Sequence, residues 1–352
     1  MTFQDLMGTN YKGNDAPLQN LYRKNQNYFE ELVDHLKQNT VIPLFGAGFS
    51  AAAYPGWANL LRKMAESYPD CHEALEQHLK NGEFEEAASL LCAEMGEFEF
   101  QEELFRTFGP QTLPEAIQKI SKERKAIPQI FTGPLATTNV EQVLEDLYHR
   151  QLPVLCPHTS YQQPQAERAL QSSSPILLKL HGDIDDLKHV IFTKEAYDAV
   201  YKNLEEDSTL VRTLKQIFSA KVVLFLGCSL ESDRVLKVLE HCCDHHVYYA
   251  LVGLPEETVE KSAPLSPKLL VDGKEQEAYR RRRQFMAKHH IKCIWYPHGQ
   301  HNALDVFLQE LQNRLGPPPN PPPLLPPPPR GPPRRRLPIN SPHPPCPAAL
   351  SP

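Results

Sequence analysis

The sequence predicts an α/β protein: a doubly wound, mostly parallel sheet with a helical insertion and a disordered proline-rich tail. Three observations lead there. Short apolar runs alternate with amphipathic stretches from residue 18 to residue 315. Between residues 57 and about 127 that alternation lapses, and apolar residues recur at helical spacing only. Past Gly316 the composition shifts abruptly, with 18 of the 34 prolines in residues 317–352, too many for a folded element.

Residues 18–40 read as an amphipathic helix carrying Leu21, Tyr28, Leu32 and Leu36 on one face. The apolar run 41–45 is a strand that enters a glycine turn. The insertion, 57–127, offers Leu60, Leu61, Met64, Ala87, Leu90 and Leu91 as buried positions. A strand over 129–138, a helix over 140–149 and a strand over 176–180 follow. A short strand at 190–193 precedes one helix over 194–219. Residues 221–226 are the clearest buried strand, followed by a helix over 232–243. Strand 247–252, a helix through 279–289, strand 291–295 and a helix over 302–315 complete the order.

At 352 residues the chain has room for one large domain or two ordinary ones. The change at Gly316 places a single domain at 1–316 and a tail at 317–352. The tail holds Arg330, Arg334, Arg335 and Arg336 and no acid, so it cannot build a core and reads as partly polyproline. Removing its +4 from the net −6 leaves −10 on the folded part, which argues against broad duplex DNA binding. The polar first ten residues lack a secretory pattern, and no apolar run spans a bilayer. Eight cysteines without a paired framework fit reduced thiols, hence a cytoplasmic protein. No internal repeat is present.

Four polar loops each follow an apolar run: Gly46-Ala47-Gly48-Phe49-Ser50, Thr137-Thr138-Asn139, Leu180-His181-Gly182-Asp183 and Gly227-Cys228-Ser229. In a parallel sheet, ligands bind beyond such C-terminal strand ends. Gly46 permits a tight turn, and Gly48 lets backbone approach a pyrophosphate without a Cβ in the way. With Ala51 the turn also satisfies G-x-G-x-x-A, so an ordinary dinucleotide-binding fold is a rival. That rival requires an uninterrupted helix and an acid about twenty residues on. Here Pro55-Gly56 breaks the run at once.

The glycine turn with Tyr54-Pro55-Gly56-Trp57, then Thr137-Thr138-Asn139-Val140-Glu141, Leu180-His181-Gly182 and Phe225-Leu226-Gly227-Cys228-Ser229-Leu230 with Asp233, resembles the four motifs of the sirtuin-like superfamily in order and approximate spacing. The resemblance spans residues 41–315 and implies a Rossmann-like, sirtuin-like domain. The variant it most resembles is the NAD-hydrolysing branch found in bacterial antiphage defence. Two departures separate it from the deacetylases: no pair of Cys-x-x-Cys modules for zinc, and Tyr54-Pro55-Gly56-Trp57 in place of an Ile-Pro-Asp-Phe-Arg-like segment. Glu141 stands where the family usually has Asp, at the contact to the nicotinamide amide.

Cleaving NAD at nicotinamide passes through an oxocarbenium-like ribose and needs no general acid, because the leaving group is already cationic. A dry, orienting pocket and one base suffice. The expected catalytic residues are His181, as the base acting on a ribose hydroxyl or water, and Asn139, holding the ribose or the attacking water. Gly46, Ala47, Gly48, Ser50 and Thr138 are expected on the phosphate and ribose, Glu141 on nicotinamide, and Gly227, Ser229 and Asp233 on the adenosine side. Each has a plain structural counterpart. Asn139 suits a turn or helix cap, a lone His before Gly suits a satisfied core imidazole, and Ser232 with Asp233 suits a cap.

Other clusters read as structural. His241-Cys242-Cys243-Asp244-His245-His246 sits at a helix end, where histidines suit the dipole. Cys293, His298 and His301 are too loosely spaced to define a metal site. The run Arg280–Arg283 on a helix reads as a solvated face pairing with Glu275 and Glu277. The tail could dock aromatic-lined partners.

The expected function is NAD glycohydrolysis to nicotinamide and ADP-ribose, with NAD as substrate and no metal, in a defence effector that depletes NAD. A homo-oligomer and an activating protein partner are expected, without membrane or direct nucleic-acid binding. The alternatives are a non-catalytic NAD or ADP-ribose-binding module with a partner-recruiting tail, and an NAD(P)-dependent oxidoreductase, which would leave Asn139 and His181 without a task.

Overall fold

Seven strands pair side by side and all parallel, because each is apolar on both faces and so must be covered on both. In chain order the strands are β1 (Val41–Phe45), β2 (Pro134–Thr137), β3 (Val154–Leu155), β4 (Ile176–Lys179), β5 (Val222–Leu226), β6 (Tyr248–Gly253), β7 (Leu270–Val271), β8 (Lys274–Glu275) and β9 (Ile291–Tyr296). The large sheet runs β3-β4-β2-β1-β5-β6-β9, while β7 and β8 form a separate antiparallel pair. The computed structural model describes residues 1–158, 163–201, 208–230, 234–242, 246–259, 267–271 and 274–316. Met1–Pro318 cluster into one compact unit. The tail at 317–352, with the disorder expected of it, lies outside the described residues, as does Asp233.

Strand residues alternate between two cores. Phe45, Leu135, Leu177, Leu224, Leu226 and Ile294 pack with the helices of residues 57–125 and with helix Ala303–Leu315. Leu44, Ala136, Leu178, Phe225, Ala250 and Trp295 face helices Gln163–Ser172, Lys194–Tyr201, Thr209–Ala220, Arg234–Leu239 and Glu277–Lys288. This is the doubly wound α/β sheet that the apolar runs predict. Helix Ala16–Lys37, capped by Asp15 and opened by Pro17, contributes to both cores beside β9. Its Asn25, wholly buried, accepts from Trp295 N–H and donates to the carbonyls of Trp295 and Leu6. No helix among the described residues is long and apolar enough to cross a membrane.

Several expectations are corrected. The strand expected over 129–138 begins only at Pro134, because Pro128 opens a short helix, Ile127–Ile130. Residues 190–193 form no strand; Ile191 N–H instead bonds the His181 carbonyl at 2.9 Å. The single helix expected over 194–219 is two, because Ser208 caps a new helix at Thr209. The helix over 140–149 shrinks to Val143–Leu147, since the preceding backbone is held by side chains described below. The polar N-terminus, for which the sequence suggested no element, carries helix Phe3–Leu6, closed by a reciprocal Thr2–Asp5 cap. The two-residue strand β3 and the pair β7–β8 are too short to leave a pattern in the sequence.

Candidate active site

Register brings the four loops together. Phe45 pairs with Thr137 on one side and Leu226 on the other, and Thr137 pairs with Lys179. β4, β2, β1 and β5 are consecutive in the sheet and end at one level, so their polar loops lie side by side.

The glycines interlock. A Cβ on Gly46 would lie 2.7 Å from the Gly227 carbonyl oxygen, and one on Gly48 would lie 2.8 Å from it. Gly227 has φ +69°, and a Cβ there would lie 2.4 Å from Phe49 N. The N–H groups of Gly46 and Gly48 donate to the carbonyls of Leu226 and Gly227. These glycines therefore let two loops touch, a use that the sequence assigned to a phosphate. Ala47, Gly48 and Ser229 remain exposed on the rim, and Thr138 is half-buried with its N–H on the Phe45 carbonyl.

Beneath that rim Asn139 is buried. Its Nδ2 donates to Glu141 Oε1 at 2.9 Å, to the Gly46 carbonyl at 3.2 Å and to Ser50 Oγ at 3.3 Å. Glu141 uses its second oxygen to accept Val143 N–H at 2.7 Å. Ser50 and Glu141, expected on ligand, thus orient Asn139 in this structure.

On the neighbouring strand His181 is buried and holds two tyrosines of one helical turn. Its Nε2 lies 2.9 Å from Tyr201 Oη and its Nδ1 lies 3.2 Å from Tyr197 Oη, both rings edge-on to the imidazole. Burial, with the nearby His158, pushes its pKa down to about 3, so the ring is neutral at physiological pH. A neutral imidazole offers a lone pair, but one that burial keeps unprotonated down to about pH 3 is a weaker base than the near-neutral imidazole expected from the sequence.

Residues that the sequence reading missed hold these groups in place. Lys179, fully buried at the end of β4, donates to the carbonyls of Val140 and Glu141 and to Glu145 Oε1, and lies 3.0 Å from Asp183 Oδ2. Burial opposes its charge, but Glu145 and Asp183 outweigh burial and keep the ammonium ionised. Burial also pushes the Glu145 carboxyl up to about 7. Strand alternation puts Lys179 on the face of Leu177, but in a sheet covered on both faces that did not single it out beforehand.

Arg124, in a basic stretch that looks solvated, is buried instead. It donates to the Phe49 carbonyl at 2.7 Å and is oriented by Asp305 of the last helix, also at 2.7 Å. Arg234 joins Glu85 of the helical insertion to Asp198, between Tyr197 and Tyr201. Trp57 stacks on Phe192 at 4.3 Å, closing the same side.

The remaining clusters separate. Arg280 and Arg281 pair with Glu277, Arg283 pairs with Glu275, and Arg282 donates to the Ser229 carbonyl at 2.7 Å, so part of that run borders the site. His241 Nδ1 lies 2.9 Å from the Lys237 carbonyl, while Cys243, Asp244 and His245 lie outside the described residues. Cys293 is buried, its thiol pushed up to about 12. Among the described residues no three His, Cys, Asp or Glu gather as a metal site. Two cavities, of about 330 and 360 Å³, lie elsewhere. One is floored by Cys293 and Trp295, the other bounded by Tyr248 and His289.

No curated protein matches the chain. Residues 134–294 match the family model of the SIR2-like domain, a stretch that runs from β2 to β9 and includes the Asn139, His181 and Gly227 loops. With these motifs on adjacent ends of a parallel sheet, residues 134–294 are similar to a sirtuin-like domain, a family whose chemistry is centred on NAD.

Proposed function

We propose that the four-loop site binds NAD and hydrolyses its nicotinamide–ribose bond. The C1′–N bond breaks with its electron pair leaving on nicotinamide, which departs neutral. Water forms the new C1′–O bond and loses a proton. His181, uncharged at neutral pH, takes a proton from the sugar hydroxyl or the water, and Asn139 orients the partner beside it. The observation that carries this reading is the placement of a buried carboxamide and a buried neutral imidazole on adjoining strand ends, within a stretch similar to a sirtuin-like domain.

The resemblance supports NAD depletion as the output, in a cytoplasmic defence effector whose homo-oligomer is switched on by a protein partner. The test follows NAD and nicotinamide over time for the wild type, Asn139→Ala and His181→Ala, with candidate activators present. Loss of turnover in both variants supports the reading; full activity in both overturns it.

One observation favours a second reading, a module that holds NAD or ADP-ribose without turnover. Both imidazole nitrogens and the Asn139 amide already have partners within the protein. ADP-ribose binding with no nicotinamide release under any activating condition would select it.

A further inference from the structure

Lys179 ends an apolar strand, has no exposed surface and keeps its charge there. Its ammonium has three protons and four acceptors within 3.0 Å, so it is held from several directions at once. Those acceptors are not a random set. Val140 and Glu141, whose carbonyls it binds, are the two residues after Asn139. Asp183 stands two residues after His181, and Glu145 belongs to the short helix that follows the Asn139 loop. One buried cation thus joins the two loops that present the carboxamide and the imidazole.

We infer that Lys179 is a positioning residue, whose ammonium sets the separation and orientation of Asn139 and His181 by tying their loops together. Its catalytic consequence rests on the NAD-cleaving reading above. The tie itself is a matter of loop geometry and is measured separately. Backbone carbonyls of the Asn139 loop, left without this donor, would move to find water. A shift of about 1 Å in a reacting group costs on the order of 100-fold in rate.

A purely structural lysine would lower stability and leave the chemistry of the folded fraction alone, so the test must keep the fold. Lys179→Met alone would strand two acids, whereas Lys179→Met with Glu145→Leu removes the cation and the deeper carboxylate together and leaves the less buried Asp183 on Gln142 and the Asp185 N–H. Buried ion clusters replaced by apolar groups often retain stability. Glu145→Gln serves as the conservative variant, since it keeps an oxygen to accept from Lys179 and leaves Asp183 as counter-charge.

The full chain is examined in three ways: thermal midpoint, ADP-ribose affinity and kcat for NAD. The double variant is expected to melt within a few degrees of wild type, bind ADP-ribose within about threefold and lose roughly 100-fold in kcat. Glu145→Gln is expected to stay within about threefold of wild type in kcat. A folded double variant with kcat within about threefold of wild type overturns the inference. Amide hydrogen exchange provides the readout that does not depend on NAD. Protection at residues 139–142 should fall in the double variant while β5 stays protected, and unchanged protection overturns the tie even if no turnover is found for any variant. Failure of the NAD reading is recognised differently, by wild type, Asn139→Ala and His181→Ala behaving alike.

Discussion

Gly227→Ala tests whether the glycine loops interlock, and a second glycine provides the control. Gly227 (φ +69°) and Gly82 (φ +75°) both occupy the left-handed region, but a Cβ on Gly82 meets nothing within 4 Å, while one on Gly227 meets Phe49 N at 2.4 Å. Alanine at either site pays the left-handed penalty, about 1–2 kcal/mol. Both also gain the same small stabilisation from a stiffer unfolded chain, so that term cancels in the comparison. Only Gly227→Ala adds overpacking against backbone, about 1–3 kcal/mol. Urea unfolding of the two variants should therefore differ by about 1–3 kcal/mol, with Gly227→Ala the weaker. Gly56→Ala, which meets nothing within 4 Å and has φ −70°, gains the stiffer unfolded chain but gives up a favoured N-cap residue, so the two offset and it should stay within about 0.5 kcal/mol of wild type. Equal destabilisation at Gly227 and Gly82 would refute the close approach.

The His181 ring predicts a pH effect. Below about 6.5 the unfolded chain binds a proton that the folded state refuses until about pH 3, so stability is full above 6.5 and falls as pH drops. Between pH 7 and 5 wild type should lose about 2 kcal/mol more than His181→Gln in urea unfolding, and equal losses would contradict the buried neutral ring. Asn25→Ala leaves a buried N–H and two carbonyls without their partner, a cost of about 3 kcal/mol or more, whereas exposed Asn20→Ala should stay within about 0.5 kcal/mol in the same assay. Under the NAD reading Tyr201→Phe removes a hydroxyl that competes with the sugar for Nε2. Its KM for NAD should fall several-fold, about one hydrogen bond's worth, and a rise would dismiss the competition.

The sheet was legible because strands buried on both faces read as continuous apolar runs, as in 41–45 and 222–226. The loops at their ends were legible because each interrupts such a run with glycine or an amide. What escaped were side chains whose role depends on long-range partners. The stretch Lys122–Lys125 looks like a solvated basic face, and only the fold shows that Arg124 alone turns inward onto Asp305 and the glycine loop. Tyr197 and Tyr201 are one helical turn apart, a spacing that signals a buried face without revealing His181 as its target. The glycine turn was read as room for a pyrophosphate, and sequence could not reveal that Gly227 of a distant loop comes just as close.

The central position of β1 bears on how the molecule may be cut. The stretch that matches the family model begins at residue 134, yet β1 ends at Phe45 and bonds to both β2 and β5. A fragment excised at 134–294 would carry two raw, apolar edges in mid-sheet, an invitation to aggregate. The boundary drawn by sequence likeness is thus no boundary of cooperative folding. Expression trials on that fragment would report on exposed edges before they reported on any chemistry.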